Sequence, residues 1–230
     1  MNVHDAFETG CPGTNVLVAG ATGGIGSAIS RELGRRGAEL TLVARRADAL
    51  DELNVPGRRL AIDLRSAEGC RLAVEKTTAD GPIHAVVNAV GVVAFGPVSD
   101  LSVDAMEELF LTNTFVPIML AKAALPHLNP GAVLVNVAGI IAEKNVPGMA
   151  AYGASKAAVT AFDQALAREA RRSGIRVINA RPPHTETGMA DRAIEGTAPS
   201  IAQGIAPERV AEVICDAIEQ GTTDLPSTAF

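Results

Sequence analysis

The stretch Asn15-Val16-Leu17-Val18-Ala19-Gly20-Ala21-Thr22-Gly23-Gly24-Ile25-Gly26 decides the fold. A short aliphatic run leads into four glycines within seven positions, and a helical period follows in Ile25, Ile29 and Leu33. Glycine serves close approach in such a turn. A phosphate reaches backbone N–H groups only where no side chain intervenes, and the N-terminus of the next helix adds a favourable dipole. The alternative is a tight strand-to-helix turn without a ligand. The spacing, G-x-x-x-G-x-G, differs from the commoner G-x-G-x-x-G of dinucleotide sites.

Outward from this turn, short apolar runs alternate with longer segments of helical period. Strands are predicted at 15–19, 38–44, 59–62, 83–87, 132–137 and 175–179. Helices are predicted at 24–36, 66–78, 103–128 with a break or kink at Pro117, 150–172 and 207–220. This alternation is the order of an α/β protein, a doubly wound parallel sheet with helices on both faces. A single domain over residues 14–230 follows an N-terminal extension, 1–13. Residues 182–206, rich in Pro, Gly, Thr and Ser, are predicted to form a long loop that serves as a substrate lid.

Composition narrows the class. Of 230 residues 47% are hydrophobic and 20% charged, enough apolar material for a full core. Acidic residues outnumber Lys plus Arg by 26 to 20, a net charge of −6, and there is no basic run, so a nucleic-acid partner is not expected. Apolar stretches are broken by Gly, Pro or charge before they reach a membrane span, and residues 1–13 lack a signal pattern, so a cytoplasmic protein is expected. Cys11, Cys70 and Cys215, like His4, His84, His127 and His184, are scattered, which encodes neither a disulfide framework nor a metal site. With 6 Phe, 1 Tyr and no Trp, the core must be aliphatic, as suits parallel strands buried on both faces.

The second predicted strand ends in Ala44-Arg45-Arg46. An acidic residue there would accept bonds from ribose hydroxyls, whereas a guanidinium accommodates a 2′-phosphate, so the pair favours NADP over NAD. The alternative is two solvated arginines at a helix start. Asp63, after the third strand, either accepts the adenine amino group or caps the following helix.

Together with Gly20, Gly24 and Gly26, the run Tyr152-Gly153-Ala154-Ser155-Lys156 resembles the classical short-chain dehydrogenase/reductase family, and the resemblance covers about 15–225. Val87-Asn88-Ala89-Val90-Gly91 is similar to the family's N-N-A-G turn, and Arg181-Pro182-Pro183-His184-Thr185-Glu186-Thr187 to its P-G-x-x-x-T. The resemblance implies a Rossmann-type fold and hydride transfer between a nicotinamide cofactor and a carbonyl or alcohol carbon of a small molecule. It implies Tyr152 as acid/base, Lys156 as the cation beside it and holder of the nicotinamide ribose, and Asn113 as the group that fixes a proton-relaying water. A phenol with a reference pKa near 10 needs such a cation to work near neutrality, and Lys156 lies one helical turn from Tyr152. Cofactor contacts are implied for Gly20, Thr22, Gly24, Ile25, Gly26, Arg45, Arg46, Asp63, Leu64, Asn88, Gly91, Tyr152, Lys156 and Thr187. Homodimers or homotetramers through the helices at 103–128 and 150–172 are implied as well. Alanines 154, 157, 158, 161 and 165 suit close helix contact.

One departure bears on chemistry. The family's catalytic serine stands thirteen residues before the tyrosine, where this chain has Gly139, and no Ser or Thr occurs between Val135 and Ala151. Losing one hydrogen-bond donor to a developing oxyanion costs on the order of 10² to 10³ in rate, about 3 to 4 kcal/mol. Two further readings therefore stand beside an ordinary dehydrogenase: a cofactor-binding protein with weak or no turnover, in a regulatory or assembly role, and a double-bond reductase that needs no serine. His184 either donates to a substrate oxygen from the lid or is an exposed loop histidine. Pro183, where the motif has glycine, bears on the pose of Thr187.

Overall fold

The computed structural model describes residues 13–79, 81–200 and 202–230. The extension expected at 1–13 lies, apart from Gly13, outside the described residues, as do His4 and Cys11. The chain runs β1 (Asn15–Ala19), α1 (Gly24–Arg35), β2 (Glu39–Ala44), α2 (Ala47–Asp51), β3 (Arg58–Ala61), α3 (Ala67–Thr78) and β4 (Ile83–Asn88). It continues with α4 (Val103–Phe110), a π-helical turn (Leu111–Phe115), α5 (Val116–Ala124), β5 (Leu128–Val137), α6 (Ala150–Ala170), β6 (Arg176–Ala180), α7 (Pro207–Gln220) and β7 (Asp224–Leu225). The strands form one parallel sheet in the order β3-β2-β1-β4-β5-β6-β7. The order reverses between β1 and β4, and in a doubly wound sheet the crevice beyond the strand ends at that point is where a ligand is held.

Alternation within each strand supplies two cores. Val16 and Val18, with Leu40, Leu42, Val133 and Val135, face α1 and α7. Leu17 and Ala19, with Val86, Leu134 and Val177, face α3, α5 and α6. The helix period read at Ile29 and Leu33 is the buried stripe of α1.

The sequence expectations differ from the structure in three places. A seventh strand exists, because two residues, Asp224 and Leu225, pair with Asn179 and Ala180. A run that short carries no period. The five-residue helix α2 was likewise too short to register. The break expected at Pro117 lies earlier, at Leu111–Phe115. Proline offers no N–H to the carbonyl four residues back, at Asn113, and its ring crowds that carbonyl, so the helix widens there rather than bending at the proline itself. The whole run Val103–His127 is a 25-residue helical stretch, long and apolar enough by composition to cross a membrane, which the interruptions in the sequence had argued against. Half of its most apolar window is buried, with Leu109, Val116, Leu120 and Ala124 packed inside the fold.

The described part of the loop expected over 182–206 is tied to its neighbours by backbone hydrogen bonds. Thr185 bridges Ile205, Glu186 N donates to Ile205 O, and Ile205 N donates to His184 O. Further along, Ile194 N donates to Val93 O and Phe95 N to Glu195 O, while the Glu195 carboxylate accepts from Ser102 N at 2.8 Å and from the Ser102 hydroxyl. A short 3₁₀ turn, Ala190–Arg192, sits between these anchors.

Candidate active site

The glycine turn closes on itself through the backbone. Gly20 N and Ala21 N both donate to Val43 O, and Gly23 N donates to Gly20 O at 3.0 Å. Gly20 has φ +76°, and a Cβ there would lie 2.9 Å from the backbone of Ala89 and Val90. A Cβ on Gly26 would lie 2.1 Å from Gly20 O, and one on Gly24 would lie 2.5 Å from Thr187 Cβ. The turn therefore admits backbone only, and Thr187, from the loop after β6, lies directly against it. This cradle at the N-terminus of α1 fits the diphosphate of a dinucleotide, which needs N–H groups and a helix dipole unobstructed by side chains. Thr22 and Ile25 lie within the same turn and the first turn of α1.

Tyr152 and Lys156 are one turn apart on α6. Lys156 is buried, and its Nζ donates to Val137 O at 3.0 Å. The Tyr152 ring packs beside Ala94, Leu101, Leu109 and Ala151. Burial pushes the Tyr152 phenol up to about 12 and the Lys156 amine down to about 8, so near neutrality the free site holds a neutral phenol beside an amine that is still protonated but titrates well below the usual lysine range. The π turn brings Asn113 inward. Its Oδ1 accepts from Val92 N at 2.9 Å, and its Nδ2 donates to Val92 O at 2.9 Å and to Ser155 Oγ at 3.0 Å. Ser155 Oγ in turn donates to the Tyr152 carbonyl at 2.7 Å. Gly91 joins these groups, since a Cβ on it would lie 3.2 Å from Lys156 Nζ and 3.4 Å from Asn113 Oδ1.

The buried lysine makes a stability prediction. Between about pH 8 and 10.5 the folded protein binds fewer protons at Lys156 than the unfolded chain does, so this contribution is complete above pH 10.5 and is lost as pH falls through about 8. Lys156→Met is expected to raise unfolding stability at pH 7 by about 3 kcal/mol, with the gain shrinking toward pH 10.5. Denaturant unfolding at the two pH values tests it, and a variant less stable than wild type at pH 7 refutes it.

The remaining expected residues divide. Asn88 is buried at the end of β4, and Gly91 lines the site. Arg45 is exposed just beyond β2, and its charge helps lower the Asp63 pKa. Arg46 is held by Asp48, with contacts of 3.0 and 2.5 Å. Asp63 is taken by Arg65, through its backbone N at 3.0 Å and its guanidinium at 2.7 Å. That pairing, foremost among the causes, holds the Asp63 carboxyl below its ordinary range. Capping of α3, an alternative for Asp63, is done by Ser66, which accepts from Gly69 N at 3.0 Å. Leu64 is a core side chain. His184 stands 3.6 Å from Glu186 and against Gly204, among residues of its own loop.

Gly139 has φ +94° and only Pro182 O near its absent Cβ, at 4.0 Å. Space for a serine exists, but with ψ 160° this backbone conformation is one that only glycine adopts readily, and any L side chain there costs about 1 to 3 kcal/mol. Two contributors carry no mark in the sequence. Ser155, between the tyrosine and the lysine, couples Asn113 to the helix turn that carries Tyr152. Val137 offers only a carbonyl, which no side-chain motif reveals.

The chain matches the family model described as short chain dehydrogenase over residues 14–198. An uncharacterized oxidoreductase of Staphylococcus epidermidis is 28% identical over 211 residues, covering 89% of this chain and 90% of that protein. The gluconate 5-dehydrogenase of Gluconobacter oxydans is 27% identical, covering 84% of this chain and 79% of its own. Among solved structures, a dehydrogenase/reductase from Sinorhizobium meliloti 1021 is similar at TM-score 0.84 and 25% identity, over 98% of both chains. A short chain dehydrogenase from Burkholderia cenocepacia J2315 in complex with NADP is similar at TM-score 0.82 and 25% identity, over 95% of this chain and 98% of that one. The matched region holds the glycine cradle, the π turn and the tyrosine–lysine pair, and the chain belongs to the short-chain dehydrogenase family of nicotinamide-dependent oxidoreductases.

Proposed function

We propose that this protein is an NADP-dependent oxidoreductase acting on a small, largely apolar carbonyl or alcohol substrate. The observation that carries this reading is the meeting of Lys156 Nζ and Asn113 Oδ1 at Gly91, on the helix turn that bears Tyr152. The dinucleotide, when bound, supplies or accepts the hydride. Tyr152 gives a proton to the substrate oxygen or takes one from it. Lys156, protonated, stabilises the phenolate, and Asn113 holds the Val92 and Ser155 segments in register around it. The apolar residues packed around Tyr152 favour a substrate with little polarity beyond its reacting oxygen. A screen of ketones and aldehydes with NADPH tests the reading; no turnover with any carbonyl, under conditions where NADPH binds, overturns it.

Arg45 is the residue best placed to select NADP, since Arg46 is shared with Asp48. Calorimetry is expected to give NADP the lower Kd, and Arg45→Ala to narrow that preference about tenfold, more than Arg46→Ala does. Tighter binding of NAD by the wild type would count against the assignment.

Gly139 favours a second reading, a dinucleotide-binding protein with weak carbonyl turnover or a reductase of carbon–carbon double bonds. Its positive φ means that Gly139→Ser strains the loop and is not a simple restoration of activity. Turnover of enones but not of saturated ketones supports the double-bond variant.

The reading includes a homodimer or homotetramer in the cytoplasm. Val103 and Phe115 are exposed beside an open apolar groove lined by Met106, Phe110 and Leu111, and Ala154, Ala157, Ala161 and Ala165 form an exposed strip on α6. Light scattering on the eluting protein is expected to give at least twice the chain mass, and Phe115→Asp to reduce it. A monomeric wild type eliminates this part.

A further inference from the structure

Five buried side chains make a chain of hydrogen bonds across the ends of β4, β5 and β6. Asn88, Asn136, Asp163, Asn179 and Arg181 are each at most 7% exposed. The direction of every bond is fixed from outside. At one end the donor is a backbone N–H: Val90 N donates to Asn88 Oδ1 at 3.2 Å. Asn88 must then present its amide nitrogen onward, and Nδ2 donates to Asn136 Oδ1 at 3.0 Å. The same logic turns Asn136 Nδ2 toward Asp163 Oδ1, at 2.7 Å. At the other end stands a guanidinium, which can only donate. Arg181 Nη1 and Thr160 Oγ1 both donate to Asn179 Oδ1, so Asn179 Nδ2 points at Asp163 Oδ2, at 2.6 Å. Arg181 is itself anchored by Glu143 and Asp224.

Two relays of donors therefore converge, and only a group accepting on both oxygens completes them. None of the three asparagines can flip in compensation, because flipping sets nitrogen against Val90 N–H at Asn88, against the Asn88 amide nitrogen at Asn136, or against the guanidinium at Asn179. The far end of the relay is the turn 88–91. That turn abuts Gly20 of the cradle, and its Gly91 abuts Lys156 Nζ. Asp163 sits on α6 two turns from Lys156, on the same face.

We propose that Asp163 is a positioning residue, the acceptor on which both relays end, and that through them it sets the 88–92 segment against the glycine cradle and Lys156. The consequence for cofactor affinity rests on the dinucleotide-binding reading above; the consequence for the segment does not.

The decisive variants are Asp163→Asn and the double variant Asp163→Asn/Asn136→Asp. The single change leaves one relay facing an N–H₂ group. The double change moves the acceptor one link along: the new carboxylate accepts from Asn88 Nδ2 and from the new amide at position 163, whose oxygen accepts from Asn179 Nδ2. All donors are again met. Hydrogen exchange of the peptide containing Val90 and Val92 is measured at pH 8, above the value of about 7 to which burial pushes the Asp163 carboxyl. Asp163→Asn is expected to reduce protection there about tenfold and to raise the Kd for NADPH, read by its fluorescence, by about as much. The double variant is expected to bring both back to within about threefold of wild type. A folded Asp163→Asn with unchanged exchange at 88–92, or a double variant no better than the single, overturns the proposal. If the single variant does not fold, a folded double variant supports the proposal and an unfolded one overturns it. A wild type that binds no NADPH overturns the dinucleotide reading instead, and the exchange arm still decides the relay.

Discussion

Tyr152→Phe is expected to lower kcat by about 10³ while leaving the Kd for NADPH within about threefold. The ring that packs with Ala94, Leu101 and Leu109 remains, so folding and the apolar wall survive; only the hydroxyl that exchanges a proton with the substrate oxygen is lost. The chain's single tyrosine makes the assay unusually direct, because any tyrosinate absorbance belongs to Tyr152. In the free protein that absorbance is expected to emerge only toward pH 12, since burial raises the phenol to about 12. A bound ligand that favours protonated Lys156 should move it downward. Steady-state kinetics of the two proteins on one carbonyl substrate settle the first point, and turnover that survives the substitution removes Tyr152 from the mechanism.

Gly26→Ala is expected to abolish detectable dinucleotide binding and to destabilise the fold by about 3 kcal/mol or more. Its Cβ would stand 2.1 Å from Gly20 O and 2.8 Å from Gly20 C, a clash with backbone that also carries the Gly23 N to Gly20 O bond. No rotamer relieves such a contact. Gly24→Ala offers the contrast. Its neighbour at 2.5 Å is Thr187, which belongs to the loop after β6 and not to the turn itself, so the clash falls between two segments rather than within the cradle's own backbone. The smaller effect on Tm is therefore expected for Gly24→Ala, with the loss falling on cofactor affinity. Thermal melts and NADPH titration of both variants test the ordering; equal melting temperatures would show that the Gly20 turn can open without cost.

Much of the fold was legible because its signals are local. Strand, glycine turn and helix follow one another within 15–35, and a continuous apolar run gives way to a 3.6-residue period at the glycines themselves. The Tyr152–Lys156 pair was legible for the same reason, as one turn of helix fixes their relation whatever surrounds it. Asn113 was placed by resemblance, but the π turn that carries it was misread as a kink at Pro117. The proline's effect falls four residues back, on the carbonyl it cannot bond.

The sequence by itself determined the doubly wound class, through the alternation of strands and helices, and with it the backbone cradle and the tyrosine–lysine turn, whose parts lie a few positions apart. Only the tertiary structure decided which groups those elements meet. Arg46 is shared with Asp48, and Asp63 with Arg65, through side-chain directions that a sequence does not record. Gly139 has a backbone conformation in which the missing serine is disfavoured. Asp163 closes two relays that join residues 27 and 16 positions apart in the chain. Such pairings arise when separate strands are brought side by side, and their energy depends on distances and bond directions that exist only once the sheet has formed.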